Sequence, residues 1–186
     1  MLTLRPFRAQ LAMFAILLLV AVTVSGCARK IVLPCPNVRV DSATASLTKF
    51  KDGPVNAQGG REVSDIEYQA DIAGYKGTCE YDDDNVEVTF SVDFTVTGGA
   101  AAKGGSAPLY YFVAIPQFFP AENGKRIMKT THKLPARAGT RESFSESGLS
   151  VTIPIKKDQA GASYDIYIGF QLDAAQIDYN RSKTIR

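Results

Sequence analysis

The 186-residue chain carries 21 lysines and arginines against 19 aspartates and glutamates, a formal net charge of +2. That balance lacks the basic excess of a nucleic-acid-binding surface. One histidine and no tryptophan leave few side chains for acid–base or metal chemistry, and no catalytic, cofactor or metal motif stands out. In chain order, Arg5 and Arg8 come first, then an uncharged apolar run from Leu11 to Val24, then the small residues Ser25 and Gly26. A basic start, an apolar stretch and a small-residue exit make a secretory signal peptide over residues 1–26. The competing reading is a membrane-spanning helix, since Leu11 to Ala28 is uncharged for 18 residues, the lower limit for a span.

Val24-Ser25-Gly26-Cys27 resembles the lipobox of bacterial lipoproteins. The resemblance implies cleavage between Gly26 and Cys27, a diacylglycerol thioether on Cys27 and an acyl chain on its new amino group. These chains are the only non-protein groups expected; no cofactor or metal is. One myristoyl chain holds a protein on a bilayer only marginally, at about 0.8 kcal/mol per buried methylene, whereas two or three make release negligible. Ala28 stands where an aspartate often marks inner-membrane retention. By that resemblance the protein belongs on the outer membrane, facing the periplasm, rather than on the inner one. Membrane lipid is then its first partner, through Cys27, and an envelope protein its second.

Removing the 26-residue signal from 186 leaves 160 residues, enough for one domain with a real core. Arg5 and Arg8 leave with it, so 19 basic residues balance 19 acidic ones in the remainder. With Cys27 taken by lipid, Cys35 and Cys79 remain, and in an oxidising compartment two cysteines pair. The bond closes a loop of 44 residues (Cys35 to Cys79), for which chain entropy gives about 4 kcal/mol. It would pin the first strand to the body just after the tether.

Residues 27–36 read as the lipidated terminus and a linker, with Arg29 and Lys30 placed for anionic head groups and Pro34 and Pro36 stiffening the exit. Residues 37–180 read as strands. Short ones are expected at Asn37 to Val40 and Leu47 to Phe50. Val63 to Ile72 alternates, Gly74 and Gly77 break it, and Thr78 to Tyr81 resumes. Asp82-Asp83-Asp84-Asn85 makes a turn into the clearest strand, where Val86, Val88, Phe90, Val92, Phe94 and Val96 alternate with polar residues. Strict period two gives one buried and one wet face, as in antiparallel sheets. Leu109 to Phe119 is apolar almost throughout and suggests a central strand covered on both faces. Asn123-Gly124 turns into Arg126 to Leu134, Gly148 precedes Leu149 to Ile155, and Tyr164 to Leu172 closes the series. No helical periodicity stands out after the signal; Asp178 onward reads as a last edge strand, with a polar tail at 181–186 carrying Arg181, Lys183 and Arg186.

Short strands separated by frequent turns indicate an all-β sandwich or barrel. Ile153-Pro154, Ala160 to Ser163 and Tyr164 to Ile168 resemble the E–F region of fibronectin type III and immunoglobulin-like domains. That resemblance implies an immunoglobulin-like antiparallel sandwich, with Tyr164 as the structural tyrosine that closes the E–F corner. A closed β-barrel is the alternative.

The candidate sites are few. Phe118 and Phe119 end the most apolar stretch and are the candidate partner-binding aromatics, with core packing as the competing reading. Asp82 to Asp84 reads as a solvated turn rather than a calcium loop. Met128 and His132 are too few for a soft-metal site, and Gly98 to Gly105 lacks the end of a phosphate loop. The leading function is a lipid-anchored, non-catalytic binding or assembly module. The alternative is a small-ligand carrier or enzyme whose pocket Tyr68, Tyr81, Tyr110, Tyr111 and Tyr167 would line.

Overall fold

A computed structural model describes residues 33–52, 61–156 and 159–184 of the chain. Residues 1–26, expected to be a signal peptide, and Cys27, Arg29, Lys30 and Arg186 lie outside the described residues. Leu33–Arg186 forms one compact unit. Its strands are β1 Asn37–Val40, β2 Ser46–Phe50, β3 Ile66–Tyr81, β4 Asn85–Gly98, β5 Ser106–Ala114, β6 Lys125–Lys133, β7 Arg141–Pro154 and β8 Asp165–Phe170, followed by helix α1 Ala174–Thr184. They form two four-stranded sheets, β1-β8-β5-β6 and β2-β3-β4-β7. All pairings are antiparallel except β1 with β8. The sheets stay open at their edges, so the fold is a sandwich and not a closed barrel.

β4 shows why the sheets face each other. Its six alternating apolar residues, Val86 to Val96, are each 2% exposed or less. They meet Leu109, Tyr111 and Val113 of β5 and Ile166, Ile168 and Phe170 of β8, all buried. Phe94 joins the layers: its ring centroid lies 5.2 Å from that of Tyr111 and 5.7 Å from that of Phe170, across the interface, and 5.2 Å from Phe144 on its own sheet. Burying an aromatic side chain of this kind contributes about 1.5–3 kcal/mol.

Tyr111 carries a hydroxyl into this core. Burial, and secondarily the Glu146 carboxylate, push its phenol from the ordinary 10 up to about 12. The folded value is the higher one, so neutral Tyr111 stabilises the fold fully below pH 10, and the contribution is lost as pH rises through about 12. Two units correspond to at most about 2–3 kcal/mol. In an alkaline titration followed at 295 nm, Tyr111 should ionise only with unfolding, and Tyr111→Phe should move that transition to higher pH. An unmoved transition would show that Tyr111 does not govern it.

Four elements differ from the sequence expectation. β3 is continuous over 16 residues: Gly74 and Gly77 do not break it. Ile72 pairs with Phe94 and Gly74 with Asp93, so Ala73 is the extra residue of a bulge. The bulge switches the inward residues from Tyr68, Ala70 and Ile72 to Tyr75, Gly77, Cys79 and Tyr81. β5 ends at Ala114 and is covered on one face only; Tyr110 on the other is 43% exposed. Residues Pro116–Phe118 form a 3-10 turn instead of continuing the strand. β7 starts at Arg141, and Gly148 lies inside it at a second bulge, where Phe90 pairs with Leu149 and Val92 with Glu146. Its φ of 72° is the left-handed conformation that favours glycine there.

The fourth difference is α1, where an edge strand and a tail were expected. It starts with a reciprocal cap: the Gln176 N–H donates to Asp173 Oδ1 (2.8 Å), and the Asp173 N–H donates to Gln176 Oε1 (3.0 Å). The helix docks by mixed contacts, with Ile177 packed against the core. Asn180 Nδ2 donates to the carbonyls of Ala43 (3.0 Å) and Ser46 (2.7 Å), and the Tyr179 ring meets Phe50 edge-on at 5.1 Å.

Candidate interaction surfaces

The chain joins the sandwich through a clasp. Cys35 and Cys79 are disulfide-bonded, with Cα atoms 5.7 Å apart, as the sequence led one to expect. Tyr81 Oη donates to the Pro34 carbonyl (2.6 Å) and accepts the Gly161 N–H (2.8 Å). An added Cβ at Gly161 would crowd that hydroxyl and the Pro36 ring, so a larger residue there would have to displace the clasp. Tyr75 Oη donates to the Val38 carbonyl (2.5 Å), and Asn37 Nδ2 to that of Ala162 (3.2 Å). β1 belongs to one sheet and Cys79, Tyr75 and Tyr81 to the other, so the segment from Pro34 to Val38 fastens the two sheets along one side. Beside it lies a cleft of about 440 Å³ whose lining includes Pro36, Val38, Tyr75, Gly77 and Val88. β2 pairs with β3 only from Ile66 to Asp71, so beyond Ile72 no described strand pairs with the outer edge of β3.

At the next corner, Tyr164 is 8% exposed and its hydroxyl donates to the Pro154 carbonyl at 3.3 Å. Phe118 and Phe119 part company here. The Phe118 ring packs on Tyr164, centroids 5.5 Å apart, whereas Phe119 is 74% exposed. Phe118 therefore serves the core, and Phe119 alone is presented outward.

The remaining sequence candidates do not converge. Asp82 Oδ1 accepts the Asp83 N–H within the hairpin turn, and among the described residues no three His, Cys, Asp or Glu side chains cluster as metal ligands. Met128 and His132 lie on β6, where His132 stacks on Phe144 with centroids 3.4 Å apart. Lys103, in the glycine-rich loop, pairs with Glu67 at 2.5 Å. Tyr68 and Tyr111 are buried in the core, Tyr110 and Tyr167 lie on the outer face, and Tyr81 belongs to the clasp; the five line no common pocket. A polar contact absent from the sequence reading is Glu146, which accepts from Thr130 Oγ1 (2.5 Å) and meets His132 Nε2 (3.2 Å), bridging the free edges of β6 and β7. Among the described residues no helix is long and apolar enough to cross a membrane.

The two outer faces differ in chemistry. On the β1-β8-β5-β6 sheet, Tyr110 pairs with Lys129, Phe112 with Ile127, Ala114 with Lys125 and Ser106 with Lys133. These pairs share the outward face, since the intervening pair Leu109–Thr130 is buried. On the other sheet, β4 turns Glu87, Thr89, Ser91, Asp93, Thr95 and Thr97 outward, alongside Asp71, Lys76, Thr78 and Glu80 of β3. Several of its hydroxyls serve carboxylates: Ser145 donates to Asp93 (2.5 Å), Ser150 to Glu87 (2.6 Å) and Ser46 to Asp71 (2.6 Å).

No protein-family model, curated protein or solved structure matches the chain.

Proposed function

We propose that the protein is a bacterial lipoprotein, lipid-anchored at Cys27 on the periplasmic side of the outer membrane, whose sandwich is a non-catalytic binding or assembly module. The observation that carries this reading is the clasp. It begins at Pro34, seven residues after Cys27 in sequence, and ties the incoming chain to β3 by a disulfide and two tyrosine hydroxyls and to the other sheet by the pairing of β1 with β8. A body fixed to its tether in this way holds a set pose, which is what presenting a surface requires. The free edge of β3 offers a partner main-chain hydrogen bonds by strand addition, which needs no special side chains. We read the body as a variant of the immunoglobulin-like sandwich. Support comes from the pairing of β4 with β7 and of β5 with β6 and β8, the arrangement of strands B, E, C, C′ and F, and from the Tyr164 corner.

Two measurements test this together. Mass spectrometry of the amino-terminal peptide should find Cys27 carrying diacylglycerol; an unmodified Cys27 in membrane-extracted protein refutes the anchor. In-cell crosslinking and affinity purification should capture one recurrent envelope partner. Capture should fall with Cys27→Ala exported behind a cleavable signal. Turnover of an envelope substrate by the pure protein would refute the non-catalytic reading.

A further inference from the structure

We infer that the outer face of β5 and β6 is a membrane-docking face, built to lie against anionic lipid head groups; this rests on the lipid anchor proposed above. β5 and β6 contain no carboxylate, whereas β6 alone supplies Lys125, Lys129 and Lys133 to one face. None of the three forms an ion pair with a described residue. Between them stand Ile127, 54% exposed, and Tyr110, 43% exposed. Lys125 Nζ sits 4.4 Å from the centre of the half-buried Phe112 ring. Asp165, on β8, is already paired with Arg39 at 3.2 Å. An aliphatic and aromatic strip ringed by lysines suits the head-group region, where tyrosines sit with one end apolar and the other wet and long lysines reach for phosphate. The opposite sheet face, with Asp71, Glu80, Glu87 and Asp93, would be repelled there.

The tether favours the same occupant. Nine residues lie between Cys27 and Asn37, so the ten Cα steps span at most about 35 Å. Asn37 opens β1, a strand of the very sheet that carries the basic face. The bilayer is thus kept at high effective concentration beside that sheet. Lysines near an anionic surface are individually weak and act as a group, so the docking depends on salt.

The test uses membrane-extracted full-length mature protein reconstituted into vesicles of phosphatidylcholine alone or of phosphatidylcholine with one quarter phosphatidylglycerol. Flotation reports the anchor, and acetylation by a water-soluble ester, read lysine by lysine, reports the face. Lys125, Lys129 and Lys133 should label about fivefold more slowly on the anionic vesicles, Lys76 on the opposite sheet should not change, and 0.5 M salt should abolish the difference. Lys129→Glu with Lys133→Glu, both surface changes, should restore fast labelling of Lys125. Equal labelling in both lipids by protein that floats in both overturns the face and leaves the anchor standing. Protein that floats only on the anionic vesicles supports the face and refutes the anchor, and protein that floats on neither refutes both. Equal slowing by soluble dextran sulfate would replace the bilayer with an anionic polysaccharide as the occupant.

Discussion

Phe94→Ala is expected to cost about 3–5 kcal/mol, the range for truncating a buried aromatic to alanine. Phe94 is 1% exposed and its ring touches Tyr111 and Phe170 across the sandwich and Phe144 beside it. β4 is hydrogen-bonded along its length to β3 on one side and β7 on the other. Neither sheet is free to sag into the space the ring leaves, so the cavity persists and its lining loses dispersion contacts. In urea titrations the midpoint should fall with the slope unchanged, and the melting temperature should drop by about 10 °C or more for a domain of this size. A loss under about 1.5 kcal/mol would mean that the sheets relax onto each other and that Phe94 does not hold them.

Such elements were legible because hydropathy and geometry share one period. β4 alternates without interruption, and every apolar residue predicted inward is inward. β3 obeys the same rule but slips phase at Ala73, so its inward set changes parity, and the slip reads as a break at Gly74. The expectation for β5 failed for another reason. Tyr110 and Phe112 are apolar enough to suggest burial on both faces, yet they belong to the outer surface. The first half of β7 was invisible because it is polar and borders the sandwich: its inward positions at Val96 and Val92 are Glu142 and Glu146. α1 has no apolar stripe, since it docks through Asn180, Tyr179 and the single apolar residue Ile177, but Asp173-Ala174-Ala175-Gln176 is the pattern of a capping box and would have placed its start. The basic face escaped notice because its lysines are spread along β6. Only the register with β5 puts Lys129 beside Tyr110 and Ile127 beside Phe112. Cys27 rests on a sequence pattern, whereas Cys35 and Cys79 were paired from the compartment and the count.

Replacing both disulfide cysteines, Cys35→Ser with Cys79→Ser, is expected to cost about 2–4 kcal/mol, bounded above by the loop entropy of 44 residues. The double variant leaves no lone thiol to form intermolecular bonds. Its effect should be uneven. β1 is four residues long and pairs only with β8. Without the bond, what holds it to β3 is the pair of tyrosine hydroxyls at Val38 and Pro34. Cys79 pairs with Val88, so the near end of β4 feels the change, whereas Val92 to Val96, further along the strand, keep their packing. Hydrogen exchange should therefore rise most at Asn37 to Val40, through local opening, and least at Val92 to Val96. For a body tethered at Cys27, that opening moves the first fixed point of the chain from the clasp at Pro34 to Ala43, whose carbonyl Asn180 holds, lengthening the tether from seven residues to 16. The protein would stay on the membrane but lose its set pose. Contacts that depend on orientation, including slow labelling of Lys129 and Lys133 on anionic vesicles, should weaken while flotation is unchanged. If exchange at β1 stays as slow as in the parent, the ladder to β8 and the two tyrosines suffice. The disulfide would then act on global stability alone, and pose would have to be sought elsewhere.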